Sequence, residues 1–320
     1  MKRRNFLSLG PSGFHRLAYT EWGDADNPHV VVCVHGLSRN SRDFDHLAQA
    51  LSNRCRVVCM DVVGRGDSAW LDDKSGYSFS TYLSDAAALI ARVTTPPREP
   101  RFALPTWRRR QAAPQLDWVG TSMGGLIGML LAAKEGSPIR RLVLNDVGPF
   151  VPWNGLFRLK GHLGRTRSFA TLRDAQAFLR QACASFGPLT ENQWDHLVHH
   201  SVRRDEKGVW QLRFDPAIGR RWPTQPDPEL PIGPEFLRGI DLWTVWNAVR
   251  CPVLVLRGAE SDVLLQGTVE EMRRRKPDTQ VIEFAGVGHV PALYDAAQID
   301  AVRRFVLDEA SVTERRRLTA

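Results

Sequence analysis

Ser122 is the middle residue of Gly120-Thr121-Ser122-Met123-Gly124, set between an apolar run (Leu116 to Val119, interrupted by Asp117) and a helix-like stretch from Gly125 to Lys134. A strand that passes into a helix through so short a turn strains its central residue, and the residues two positions away must be small. The strain lifts the Ser122 hydroxyl clear of the sheet, and the helix N-terminus points at the carbon the hydroxyl attacks. A serine hydroxyl is a poor nucleophile near neutral pH. It needs a base beside it, and the base needs a third group to fix its tautomer.

His289, in Gly286-Val287-Gly288-His289-Val290, is the candidate base. It follows the last expected strand, and sites in open α/β sheets lie on loops at the carboxyl ends of the strands. The acid is expected between serine and histidine in the chain. Asp262, in Gly258-Ala259-Glu260-Ser261-Asp262, is the first choice; Glu260 in the same turn and Asp146, in Leu144-Asn145-Asp146-Val147-Gly148-Pro149, are its rivals. A tetrahedral oxyanion needs two backbone N–H donors. Met123 supplies one, and Leu37, in His35-Gly36-Leu37-Ser38, supplies the other, with Gly36 letting the backbone approach the substrate. Together these groups suit two-step cleavage of an ester, lactone or related acyl bond, with the acyl group held on serine and then released by water.

Such residues need a sheet to hold them. Short apolar runs alternate with amphipathic segments, which predicts a mostly parallel sheet with helices on both faces. Arg16 to Trp22 reads as an edge strand; Val30 to Val34 and Arg56 to Met60 read as strands buried on both faces. Ser41 is the expected cap of a helix carrying Phe44, Leu47 and Leu51, and Ser80 to Val93 is the next helix. Thr94 to Pro114, rich in Pro and Arg, reads as a surface loop. Arg141 to Leu144 is the strand after the serine helix. The alternation stops from Phe150 to about Trp246, where helices are expected near Thr171 to Phe186 and Glu191 to Val202. It resumes with strands at Pro252 to Leu256 and Gln280 to Phe284, and with helices near Val269 to Arg275 and Asp295 to Leu307. Three segments follow: core 1–149, a cap domain 150–246, and core 247–320.

His35-Gly36, Asp61 through Gly64-Arg65-Gly66-Asp67-Ser68, the Ser122 turn, the Asp262 turn and Gly288-His289 occur in an order and spacing that resembles the α/β-hydrolase superfamily over nearly the full chain. The resemblance implies an eight-stranded, mostly parallel sheet with a mainly helical cap inserted after the sixth strand, and the chain order nucleophile, acid, base. It implies esterase, lactonase, thioesterase or carbon–carbon bond hydrolase activity, or acyl transfer to another acceptor. Some members of the fold serve instead as small-molecule receptors. Epoxide hydrolases and haloalkane dehalogenases place Asp where this chain has Ser122, which argues against both.

The remaining signals are weaker. Phe150, Trp153 and Trp243 are candidate pocket residues. His196, His199 and His200 share helical spacing, but no glutamate follows the first in the metalloprotease manner, so they are expected to lie on the surface or line the cap. No metal and no cofactor is expected. The +8 formal charge comes largely from scattered arginine clusters without a nucleic-acid-binding module, so the expected partner is a small acyl substrate and not nucleic acid. The five cysteines show no paired metal spacing and read as reduced. No run is long and apolar enough to cross a bilayer. The Arg3-Arg4 pair before Phe6-Leu7 resembles an export signal but lacks an apolar region, so a short basic lead-in and a cytoplasmic enzyme are expected.

Overall fold

Runs of Val, Leu and Ile without polar alternation become strands covered on both faces. The structure, a computed structural model, describes residues 1–95, 113–163, 168–221 and 239–309. Its main sheet holds β1 (Lys2–Gly10), β2 (Gly13–Trp22), β3 (His29–Val34), β4 (Arg56–Asp61), β5 (Gln115–Thr121) and β6 (Ile139–Asn145). Among the described residues five short strands then intervene: β7 (Phe150–Pro152), β8 (Ser168–Phe169), β9 (Val202–Arg204), β10 (Trp210–Leu212) and β11 (Gly239–Asp241). The sheet is completed by β12 (Val253–Gly258) and β13 (Gln280–Phe284). The spatial order is β1-β2-β4-β3-β5-β6-β12-β13, antiparallel at the β1–β2 and β2–β4 pairings and parallel elsewhere. This is the eight-stranded α/β-hydrolase sheet.

Alternation along β3 shows how both faces are filled. Val30, Val32 and Val34 join one apolar cluster and Val31 and Cys33 the other. Helices α1 (Asp45–Leu51) and α10 (Ala296–Leu307) cover the second face through Leu47, Leu51, Val302 and Val306. Helices α2 (Phe79–Thr94), α3 (Met123–Ala132), α8 (Trp243–Ala248) and α9 (Gln266–Arg275) cover the first through Leu89, Ile127, Trp246 and Met272. Asp117, the charge inside the central strand β5, is fully buried and is compensated by Arg140 Nε at 2.9 Å and His29 Nε2 at 2.7 Å.

Between β6 and β12 the chain forms α4 (Trp153–Leu163), α5 (Leu172–Ala182), α6 (Glu191–Ser201) and α7 (Ala217–Arg221). Thr171 and Thr190 each close a capping box, with Asp174 and Gln193. Leu179, Trp194, Leu197 and Phe214 make a third apolar cluster, which includes Tyr294 from the chain after β13.

Three local expectations change. Lys2–Gly10 is no lead-in but the edge strand, paired with β2 along its whole length, so Arg16 to Trp22 lies inside the sheet. An edge strand needs a hydrogen-bonding partner more than an apolar run: Phe6 packs on Tyr19 at 6.1 Å, and Arg4 bonds Glu21 at 3.1 Å. The cap near Ser41 is Asn40, whose side chain accepts from the Arg42 N–H of a 3₁₀ turn (Ser41–Phe44). The expected loop from Thr94 to Pro114 falls largely outside the described residues.

Candidate active site

Gly120 and Gly124 explain the turn that carries Ser122. A Cβ on Gly124 would run into the Val34 carbonyl, and one on Gly120 would run into the backbone of Gly124 and Gly125. Both positions therefore demand glycine. Ser122 between them has φ 50° and ψ −114°, a conformation that L-residues rarely hold. Met123 is the first residue of α3, so its N–H has no acceptor within the helix.

His289 places Nε2 3.0 Å from Ser122 Oγ and Nδ1 2.7 Å from Asp146 Oδ2. A carboxylate only accepts, so Nδ1 carries the proton and Nε2 is the acceptor facing the hydroxyl. Asp146 is fully buried and follows β6 at φ 56°. Its Oδ1 accepts from the Gly258 N–H at 2.9 Å, and its Oδ2 accepts from Ser261 Oγ at 2.6 Å. Asn145 ties both sides of the site, donating to Thr121 Oγ1 at 3.1 Å and to the Pro291 carbonyl at 2.9 Å. From the inserted segment, Ser185 accepts the Gly288 N–H at its carbonyl, 2.8 Å away, while its hydroxyl donates to the His289 carbonyl.

Asp262 does not take the place expected of it. Its carboxylate turns to Arg158 of α4, with Nε–Oδ2 2.5 Å and Nη2–Oδ1 2.7 Å. Burial works to raise the Asp262 pKa, but the hydrogen bond and charge of Arg158 outweigh it and hold the carboxyl below its ordinary range. The place beside His289 Nδ1 is filled by Asp146 at the end of β6, and the loop after β12 meets that carboxylate through Ser261, while Asp262 is committed to Arg158. Glu260 has its N–H on the Val287 carbonyl at 2.9 Å, and it too is absent from the hydrogen bonds of His289.

The loop after β3 is pinned from below. His35 is completely buried; its Nε2 accepts from the Val62 N–H at 3.0 Å, so Nδ1 donates to the Gly36 carbonyl at 2.7 Å. Burial, reinforced by the charges of Arg65 and Arg39, pushes the His35 pKa down to about 3. Arg65, equally buried, donates Nε to the Leu37 carbonyl at 2.9 Å and Nη1 to Tyr82 Oη at 3.0 Å, and its Nη2 lies 3.6 Å from Met123 Sδ. Arg65 is thus an internal brace for this loop.

Gly36, Leu37, Ser122 and His289 line one cavity, with Phe178, Phe186 and Phe214 among its walls. Phe150, Trp153 and Trp243 do not line it. Phe150 pairs with Asp241 in the β7–β11 ribbon. Trp153 packs against the main core and Phe157, and Trp243 lies under the Arg275 guanidinium at 4.4 Å. Aromatic content marked the right segment, but Trp153 and Trp243 pack against the core and Phe150 lies in the β7–β11 ribbon. Asp45, His196 and His200 bring ligand atoms within 4.8 Å of one another, yet Arg42 already bonds Asp45 through Nε at 2.9 Å and approaches His200 Nδ1 at 3.3 Å. A cation of the protein's own holds that place.

The alpha/beta hydrolase family model matches residues 31–302. The chain belongs to the α/β-hydrolase family. Over 300 residues this hydrolase is 41% identical to a 3-hydroxybutyrate-oligomer hydrolase of Cupriavidus necator, a match that covers 93% of this chain and 94% of the relative. Among solved structures, an alpha/beta hydrolase from Novosphingobium aromaticivorans aligns with TM-score 0.78 and 31% identity, over 96% of this chain and 98% of that one. A putative hydrolase from Rickettsia typhi aligns with TM-score 0.82 and 27% identity, over 97% and 100%. The protein is accordingly an ester-cleaving hydrolase of this family. Among the described residues no helix is long and apolar enough to cross a membrane.

Proposed function

We propose that this hydrolase cleaves short esters of hydroxy acids through an acyl-enzyme on Ser122, with His289 as base and Asp146 as its acid partner. The carrying observation is the continuous relay Ser122 Oγ, His289 Nε2 at 3.0 Å, His289 Nδ1, Asp146 Oδ2 at 2.7 Å. His289 takes the hydroxyl proton as Ser122 Oγ bonds the ester carbon. The oxyanion accepts the N–H groups of Leu37 and Met123, and the carbonyl re-forms as the C–O bond breaks and His289 returns the proton to the leaving alcohol. Water then repeats the sequence, releasing the acid and restoring Ser122. Asp146 stays ionised and stabilises the imidazolium.

The substrate class follows the C. necator relative, whose name specifies 3-hydroxybutyrate oligomers. An apolar cavity walled by Phe178, Phe186 and Phe214 suits short branched acyl chains. Residues 150–246 act as a cap domain that excludes water, and the substrate is a small acyl compound, not nucleic acid. All five cysteines carry free thiols, in keeping with a cytoplasmic enzyme. Ser122→Ala is expected to lower kcat on p-nitrophenyl butyrate and on the 3-hydroxybutyrate dimer by a factor on the order of 10⁶. Turnover by purified Ser122→Ala at the parent rate would overturn the mechanism.

A further inference from the structure

Two arginines are among the described residues lining the cavity over Ser122, and they differ in what they have left to offer. Arg39 is buried, with Nε and Nη2 on Asp43 at 2.9 and 2.6 Å and Nη1 on Ser201 Oγ at 2.8 Å. Every nitrogen is engaged, and Asp43 cancels its charge. Arg158 is 36% exposed at its side chain and uses only its Nε/Nη2 edge, on Asp262. A guanidinium carries five N–H donors in a planar fork. The second edge, Nη1 with the outer hydrogen of Nη2, has no partner among the described residues.

The geometry points to Arg158 as the residue that binds a carboxylate of the substrate, Asp262 holding its guanidinium in plane and balancing its charge when no substrate is bound. The inference rests on the ester-hydrolase reading above and deepens it. An oligomer of a hydroxy acid ends in a carboxylate, and each hydrolysis creates another. An apolar cavity without a cation would penalise that charge by desolvation. A planar fork pairs with a carboxylate through two parallel hydrogen bonds, which a lysine cannot reproduce. Asp262, 44% exposed, makes with Arg158 a half-solvated pair of the kind that adds little stability. Its position is better accounted for by orientation. Because Asp262 is itself an anion, it also competes with the substrate for Arg158.

That competition gives the test two opposite signs. The KM of the 3-hydroxybutyrate dimer is measured as free acid and as methyl ester, for the parent, Arg158→Gln and Asp262→Asn. The ratio of acid KM to ester KM is expected to rise tenfold or more in Arg158→Gln, whatever change both substrates share, and to fall below the parent value in Asp262→Asn. A second reading needs no oligomer turnover: free 3-hydroxybutyrate competes with p-nitrophenyl butyrate, and its inhibition constant rises at least tenfold in Arg158→Gln. If both KM values move together in Arg158→Gln and the inhibition constant does not change, the pair is only a clamp between α4 and the β12 loop, and the inference is wrong. Failure of the ester-hydrolase reading would be seen separately, as dimer cleavage that survives Ser122→Ala.

Discussion

A carboxylate that orients a catalytic imidazole must be dry, immobile and aimed, and Asp146 meets each condition. It is fully buried, held by the Gly258 N–H and the Ser261 hydroxyl, and 2.7 Å from His289 Nδ1. Asp262 is half in solvent and committed to Arg158. The two aspartates therefore separate in one experiment. Asp146→Asn is expected to lower kcat by about 10⁴, because the amide presents a donor where the imidazole needs an acceptor and favours the wrong tautomer. Asp262→Asn is expected to change kcat by less than about tenfold. Steady-state rates on p-nitrophenyl butyrate check both, and a reversed order would make Asp262 the acid. Ser261 was visible in the sequence only as a neighbour of Asp262. Its donation to Asp146, like the brace formed by Arg65, became apparent only once strands distant in sequence were set side by side.

At the scale of elements, the strand–turn–helix around Ser122 is rigid because backbone meets backbone. The Gly124 Cα faces the Val34 carbonyl of the neighbouring strand, so an added methyl cannot be relieved by a side-chain rotation. Gly124→Ala is expected to cost about 1–3 kcal/mol of stability and to lower kcat by shifting the loop after β3. Urea unfolding with paired kinetics measures both, and an unaltered midpoint would show that the strand moves freely. The inserted segment holds the site as well as covering it: Ser185 binds the His289 loop through both its carbonyl and its hydroxyl. Helices were expected near Thr171 to Phe186 and Glu191 to Val202, and α5 (Leu172–Ala182) and α6 (Glu191–Ser201) form there. Strand β1 was missed because edge pairing leaves almost no apolar signature in so polar a run.

For the whole molecule, buried titratable groups set the acid limit. Burial holds His35 at about 3, and burial together with Arg42 holds His200 at about 3, whereas both groups in the unfolded chain titrate near the ordinary 6.5. The unfolded state then binds more protons, so their stabilisation is complete above about pH 6.5 and is lost as pH falls toward about 3. Asp61 opposes this: burial raises it to about 6, so its contribution falls as pH rises from about 4 to about 6. Two histidines outweigh one aspartate, and stability is expected to drop between pH 6.5 and 5, each net proton contributing at most about 1.4 kcal/mol per pH unit. His35→Gln should flatten that slope by up to one proton, which denaturation at both pH values measures; an equal slope would show that His35 does not titrate on unfolding. What the sequence determined by itself was local: the turn at Ser122, the loop bearing His289, and the alternation that builds the sheet, each written in spacing and side-chain size over a few residues. What only the tertiary structure decided was direction across the chain: which carboxylate meets the imidazole, which aromatic rings wall the cavity, and where Arg158 points. Those outcomes depend on the strand order β5-β6-β12 and on side chains leaving loops at angles fixed by distant backbone, and no periodicity in the chain encodes either.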